Sequence, residues 1–392
     1  MTAALSVLPR RRESRAKQRQ RSWLWTPAFA GELVGLMLAL LLSFGVAHAQ
    51  TPKRKVIIDD EGFGLMHLML LEDPDVEVLG LTTVSGNVWA NRATAMALRG
   101  LEIAHRTDVP VVQGATFPLV NTEAATERWE TLYGKLTWKG AWMKHWVEPT
   151  QQSTPAYFGP NDPVDLRGGN PTHKAADEIA ANFLIRMVHR YPGEVTILAA
   201  GPFTNLALAQ RLDPAFAGLA KELVYMGGSL NPHQVLTGAS ASDFAREYTN
   251  TPRREFNARF DPEAASIVAR APWRRIVAVP VDPSTATELS AALLARLAKV
   301  ALPDVARFIA GMEPGFPLWD ETAAAVWLDP SIVTDRETLF VDYNTVFSAG
   351  YGDMLSWRDG YQPGLGEQKA EVVRAVDPKR LEALMAREMS RK

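Results

Sequence analysis

The chain has 392 residues, 47% of them hydrophobic and 22% charged, which suffices for a sizeable core and excludes a disordered polymer. It contains no cysteine, so disulfides, thiolate metal sites and a cysteine nucleophile are all ruled out. The formal charge of −2 is unevenly divided: seven of the 42 Lys+Arg but only Glu13 and Glu32 precede residue 50, leaving 35 basic and 42 acidic residues behind them, a balance that argues against nucleic acid as a partner.

The first feature in chain order is a 14-residue apolar run, Leu33–Val46, behind a basic stretch. It falls short of the roughly 20 residues that span a bilayer. Ala47-His48-Ala49 follows at once. Basic region, apolar core and small-residue site in that order read as a secretory signal over residues 1–49, cut before Gln50. The alternative is an uncleaved anchor. The expectation is therefore an exported chain, periplasmic or secreted, with no stable membrane anchor after cleavage.

Residues 50–392 then alternate between strand-like and helix-like segments. Lys55–Ile58 is a short β-branched run that ends in Asp59-Asp60-Glu61, and Val76–Val84 is near-continuously apolar, as expected of a strand buried on both faces. Helical spacing of Ala93, Ala97, Leu98 and Leu101 predicts a helix within Asn87–Arg106. Further strands are expected at Val109–Val112, Val195–Ala200, Leu223–Met226, Ile276–Val281, Thr338–Asp342 and Val372–Val376. Helices are expected at Thr204–Arg211, Pro262–Arg270, Thr322–Leu328 and from Pro378 onward. This alternation predicts one α/β domain, doubly wound around a mostly parallel central sheet with helices on both faces. Residues 121–171 break the rhythm as a long Trp-, Pro- and Gly-rich loop insertion without clear period, and residues 227–254 form a second long polar stretch.

In such sheets ligands bind beyond the carboxyl ends of the strands. Asp59-Asp60-Glu61, Ser85-Gly86-Asn87, Ala200-Gly201, Glu255-Phe256-Asn257 and Trp319-Asp320-Glu321 all fall there. Singly, each has a plain reading: a solvated strand end for Asp59-Asp60, a helix cap for Asn87, an N-cap for Asp320. Collectively they offer hard oxygens of the kind that calcium or magnesium takes.

Taken together, the runs VIIDDEG…LEDPDVEVLGLTTVSGN, ILAAGPFTNLALAQRLDP, ELVYMGG, EFNARFDPEAASIV and PLWDETAAAVWLDPSIV resemble the nucleoside hydrolases of the inosine–uridine type, in order and spacing, from Lys55 to the C-terminus. The resemblance implies the nucleoside hydrolase fold and hydrolysis of the N-glycosidic bond of a small-molecule ribonucleoside, aided by one calcium ion. It places Asp59, Glu61, the Ala200 carbonyl and Asp320 on the metal, Glu61 as the base that activates water, and Asn87, Glu255 and Asn257 on the ribose. The family's first block reads D-x-D-x-G-x-D-D, and here its last two acids are replaced by Leu65 and Met66. Asp60 is the neighbouring acid that could replace a lost ligand. Where many members have a proton-donating His before the final metal-binding Asp, this chain has Trp319, as in a purine-specific branch that stacks the indole on the base. Trp319 is thus expected in both catalysis and substrate binding, with core packing as its plain alternative. Trp129, Trp138, Trp142 and Trp146 are candidates for the opposite face of the base, and His67 and His233 read as ordinary histidines. The functional expectation is an exported, calcium-dependent, purine-preferring nucleoside hydrolase, its homo-oligomeric state left open. The alternative is a catalytically impaired member acting as an exported nucleoside- or sugar-binding protein.

Overall fold

Nine strands form a single sheet in the order β3-β2-β1-β4-β5-β6-β9-β7-β8. The structure is a computed structural model that describes residues 52–144, 156–231 and 255–391. The expected signal and its cleavage point lie outside the described residues, as do Trp146 and His233. Pro52–Lys392 forms one compact unit.

The strands are β1 (Arg54–Asp60), β2 (Val76–Thr83), β3 (Val111–Gln113), β4 (Val195–Ala199), β5 (Glu222–Met226), β6 (Ile276–Val279), β7 (Val333–Tyr343), β8 (Met354–Trp357) and β9 (Gln368–Val376). From β3 across to β9 every pairing is parallel, and only β7 and β8 join antiparallel at one edge. The sheet edges are short, with three residues in β3 and four in β8. Residues of β1 alternate between two apolar layers: Val56 and Ile58 enter one buried cluster, Ile57 the other. The first layer holds α1 (Leu65–Glu72), α8 (Trp319–Leu328) and α9 (Pro378–Met389). The second holds α4 (Ala180–Arg190), α5 (Thr204–Leu212) and α7 (Pro262–Arg270). The doubly wound, mostly parallel sheet read from the sequence is the observed architecture.

Several elements differ from the expectation. Within the long 121–171 insertion lies a helix, α3 (Glu123–Tyr133), capped by Thr122 Oγ1, which accepts from Ala125 N at 3.0 Å. It buries only Thr126 and Trp129, so it carries no apolar stripe to announce itself. Helix α1 was hidden for the opposite reason: Leu65 through Leu71 are all buried, leaving no polar face to define a period. The helix after β2 is α2 (Ala90–Ile103), shorter than Asn87–Arg106. Helix α8 begins at Trp319, not Thr322, with Leu318 at its N-cap. Asp320 therefore sits in the first turn and is not the cap.

Two residues at the start of α5 tie the carboxyl ends of the sheet together. Asn205 Nδ2 donates to Asp59 Oδ2 at 2.8 Å and to the Thr83 carbonyl at 3.0 Å, while its Oδ1 accepts from Ala115 N at 2.8 Å. Thr204 Oγ1 donates to Asp261 Oδ2 at 2.6 Å. Asp261 caps α7 by accepting from Ala264 N, with Pro262 at the first helical position, as the sequence pattern indicated. β1, β2, the segment after β3 and the start of α7 are thereby held in one frame.

Candidate active site

Glu61 stands one residue past the end of β1 and is 5% exposed. Two glycines make room for it. A Cβ on Gly201 would lie 2.2 Å from Glu61 Oε2, and one on Gly86 would lie 2.9 Å from its Cδ. Asn87 Nδ2 donates to Glu61 Oε1 at 2.8 Å. Oε2 is buried and accepts no hydrogen bond among the described residues. It is the oxygen left to take a proton. Burial pushes the Glu61 carboxyl well above the usual range, and the charges of Asp60, Asp320 and Glu255 push the same way.

The other acids divide into those held by the frame and those facing each other. Asp59 is fully buried; its Oδ2 accepts from Thr82 Oγ1 at 2.5 Å and from Asn205. Burial raises it to about 7. Asp60 is also buried rather than a solvated strand end, and burial raises it to about 6. Its Oδ2 lies 3.5 Å from His67 Nε2. His67 Nδ1 accepts from Gly64 N at 3.2 Å, so the ring proton is on the nitrogen facing Asp60, and burial lowers His67 to about 3. His67, read as an ordinary surface or helix histidine, lies in helix α1 with its ring buried as a neutral donor. Burial, followed by the charges of Asp60, Glu321 and Glu255, holds Asp320 well above the usual carboxylate range; Glu321 is raised to about 7 by burial and by Asp60.

Glu255 and Asn257 serve the backbone here. Glu255 caps α6 (Phe256–Phe260), accepting from Asn257 N at 2.8 Å, Ala258 N at 2.9 Å and Gly228 N at 2.8 Å. Asn257 Nδ2 donates to the Ala200 carbonyl at 2.7 Å and to the Met226 carbonyl at 3.2 Å, joining the ends of β4 and β5. Asn87 is exposed at the mouth and is not a helix cap; Ser85 Oγ instead accepts from Ala90 N at 2.8 Å. Trp319 is partly buried against the core and meets Phe316 edge-on at 6.2 Å between ring centres. Among the other tryptophans, Trp129 and Trp142 are buried in small aromatic clusters, whereas Trp138 is half-buried and donates through Nε1 to Asn87 Oδ1 at 2.6 Å. The sequence reading missed Asn205, which lies inside the GPFTNLALAQRLDP run, because nothing in that run points to the strand ends it joins.

The calcium implied by the resemblance does not fit this donor set. Calcium takes about 6–8 oxygens. Leu65 and Met66, 0% and 1% exposed, are packed into the core of α1 and supply none. Asp59 turns Oδ2 to Thr82 and Asn205 and leaves only Oδ1 without a partner among the described residues, and the Ala200 carbonyl already accepts the Asn257 amide. Among the described residues no group of three or more His, Asp or Glu is placed to hold a metal ion. Glu61 and Asp320 are the two expected ligands that do face a common, carboxylate-rich space.

Buried carboxylates gathered beyond the carboxyl ends of a parallel, doubly wound sheet stand where α/β proteins of this class bind their ligands. The family described as "Inosine-uridine preferring nucleoside hydrolase" matches residues 56–383, and the chain belongs to that family of nucleoside hydrolases. It is 37% identical over 217 residues to uridine nucleosidase 1 of Arabidopsis thaliana, an overlap of 55% of this chain and 52% of that protein. A pyrimidine-specific ribonucleoside hydrolase of Escherichia coli is 24% identical over 319 residues, covering 76% of this chain and 86% of that one. Among solved structures, a plant nucleoside hydrolase superposes with a TM-score of 0.62 at 25% identity, over 87% of this chain and all of the other.

The raised carboxyls have a consequence for stability. A group whose carboxyl is raised on folding holds its proton more tightly in the folded state, so the folded state loses stability as pH rises through the window between the two values. For Glu321 that window runs from its ordinary 4.5 to about 7. In chelator-treated protein, Glu321→Gln should be near neutral at pH 5 and should raise the urea midpoint at pH 8. The same midpoint difference at both pH values would show that Glu321 does not keep its proton on folding.

Proposed function

We propose that the chain is an exported ribonucleoside hydrolase in which Glu61 activates water and Trp319 favours a purine leaving group. The observation that carries this is Glu61 itself: one oxygen fixed by Asn87, the other buried and without a hydrogen bond among the described residues, and the carboxyl raised above its usual range by burial. A carboxylate that holds a proton more tightly than usual is a stronger base toward water. Glu61 Oε2 takes a proton from water, and the oxygen of that water forms a bond to the anomeric carbon as the bond to the base nitrogen breaks. Its electron pair leaves with the base, which takes a proton from solvent. Positive charge developing on the sugar is stabilised by the carboxylates of Asp320 and Glu255, whose fields reach Glu61.

Trp319 offers an indole face and no titrating proton, so it can stack on a base but cannot act as its acid. Stacking is worth about 1–3 kcal/mol per base. A pyrimidine preference is the second reading, favoured by the activities of the Arabidopsis and Escherichia relatives.

Glu61→Gln preserves size and hydrogen bonding while removing the basic charge. Its turnover should fall roughly 10²–10⁴-fold with nucleoside binding retained. Turnover within a few-fold of wild type would remove Glu61 from the base role. Trp319→Ala should weaken inosine and guanosine hydrolysis by about 1–3 kcal/mol, more than uridine, because the larger ring loses more contact. Equal losses for both classes, or uridine as the better wild-type substrate, would favour the second reading.

Export rests on the basic, apolar and small-residue order of residues 1–49. Mass spectrometry of the protein from its host should find a chain that starts near Gln50. An intact N-terminus inside the cell would overturn export and leave the hydrolase reading untouched.

A further inference from the structure

We infer that Trp138, from the long insertion after β3, is a positioning residue for Glu61, acting through the orientation of the Asn87 amide. This rests on the reading of Glu61 as the base. The indole N–H is a donor only, so Trp138 Nε1 can face Asn87 Oδ1 but not its NH₂ group. It does so at 2.6 Å. The opposite end of the amide is thereby turned to Glu61, where Nδ2 donates to Oε1 at 2.8 Å. An amide is nearly symmetric in shape, and the reversed orientation would set Oδ1 against a carboxylate oxygen, two acceptors with no proton between them. Asn87 is exposed, and Glu61 and Trp138 hold its amide from opposite ends in the one orientation that satisfies both. Trp138 supplies the second hold, against which the amide cannot swing away from Glu61.

The insertion is fixed for this task. Ala141 N donates to the Gly86 carbonyl at 2.8 Å, docking the insertion on the turn that carries Asn87. Gly140 sits at φ 57°, and a Cβ there would lie 2.3 Å from the Gly86 oxygen and 2.3 Å from Phe256 Cζ, so the approach needs glycine. Arg259 Nη2 donates to the Trp138 carbonyl at 2.6 Å, and the Trp138 ring meets Phe256 edge-on at 6.5 Å. Trp142 stacks on Phe260 at 4.3 Å between ring centres. Three anchors, Phe256, Arg259 and Phe260, come from α6, the helix capped by Glu255, so the insertion bridges the turn after β2 and the segment after residue 254.

The test uses the full chain with Trp138→Phe, which removes the N–H and keeps an aromatic ring. Positioning of the base predicts that kcat falls about tenfold while KM stays within about threefold, equally for purine and pyrimidine nucleosides. In an Asn87→Ala background the same substitution should have less than about a twofold effect, because residues acting along one chain of hydrogen bonds are not additive. Wild-type kcat in Trp138→Phe overturns the inference. So does an equal loss in the Asn87→Ala background, which would mean that the ring acts on the nucleoside directly. A wild-type chain with no turnover on any nucleoside would instead sink the hydrolase reading. A neutron crystal structure of Trp138→Phe, in which the amide deuterons tell nitrogen from oxygen, then decides the positioning role independently. An Asn87 amide displaced or reversed relative to Glu61 supports it, and Nδ2 still on Oε1 overturns it.

Discussion

The constraint on which the rest of the structure depends is electrostatic: several carboxylates are gathered at the carboxyl ends of the strands, out of water and close enough to raise one another. Asp60, Glu61, Asp320 and Glu321 all sit above their ordinary pKa values, with burial the largest cause in each. Like charges in a poorly hydrated place repel strongly, and they persist only where the fold compensates them or lets them hold protons. This fold compensates with dipoles. Three backbone N–H groups point at Glu255, Thr82 and Asn205 at Asp59, and the Asn87 amide at Glu61. His67, lowered by burial, faces Asp60 as a neutral ring. Donors fixed by strand ends and helix starts cost no reorganisation when charge moves in the site, which suits a reaction that builds positive charge on a sugar.

Much of the fold was legible because its signals are local. The β-branched run ending at Asp59-Asp60-Glu61, the Asp261-Pro262 helix start and the strand–helix alternation each follow from patterns a few residues long. What escaped was either patternless or non-local. Helix α1 is buried all round, so Leu65 and Met66 read as missing acids when they are also core residues of that helix. Helix α3 buries too little to show a stripe. Asn205 and Trp138 gain meaning only from partners far away in sequence: Asn205 with Asp59 at a separation of 146 residues, Trp138 with Asn87 at 51.

The same distinction governs the candidate site. Residue types could be matched position by position, but not what each side chain would be bonded to. Glu255 and Asn257, expected at a ribose, are fastened to main-chain groups that join α6 to the ends of β4 and β5. Such contacts fix the geometry of the recess wall. Glu61 and Asp59 each combine burial, one fixed oxygen and a second without a partner among the described residues, and of the two only Glu61 is held by the exposed Asn87.

The brevity of the two outer strands bears on how copies of this chain meet. An outermost strand exposes unpaired main-chain N–H and C=O groups that can recruit a neighbour's strand. Here one margin, β3, is three residues long and the other, β8, is four, and β8 pairs only with Phe340–Tyr343, so the Val333–Leu339 part of β7 runs on with no strand beside its outer edge among the described residues. That overhang carries Asp335, Arg336 and Glu337 in succession, charges of the kind that keep an open strand edge from recruiting a neighbour.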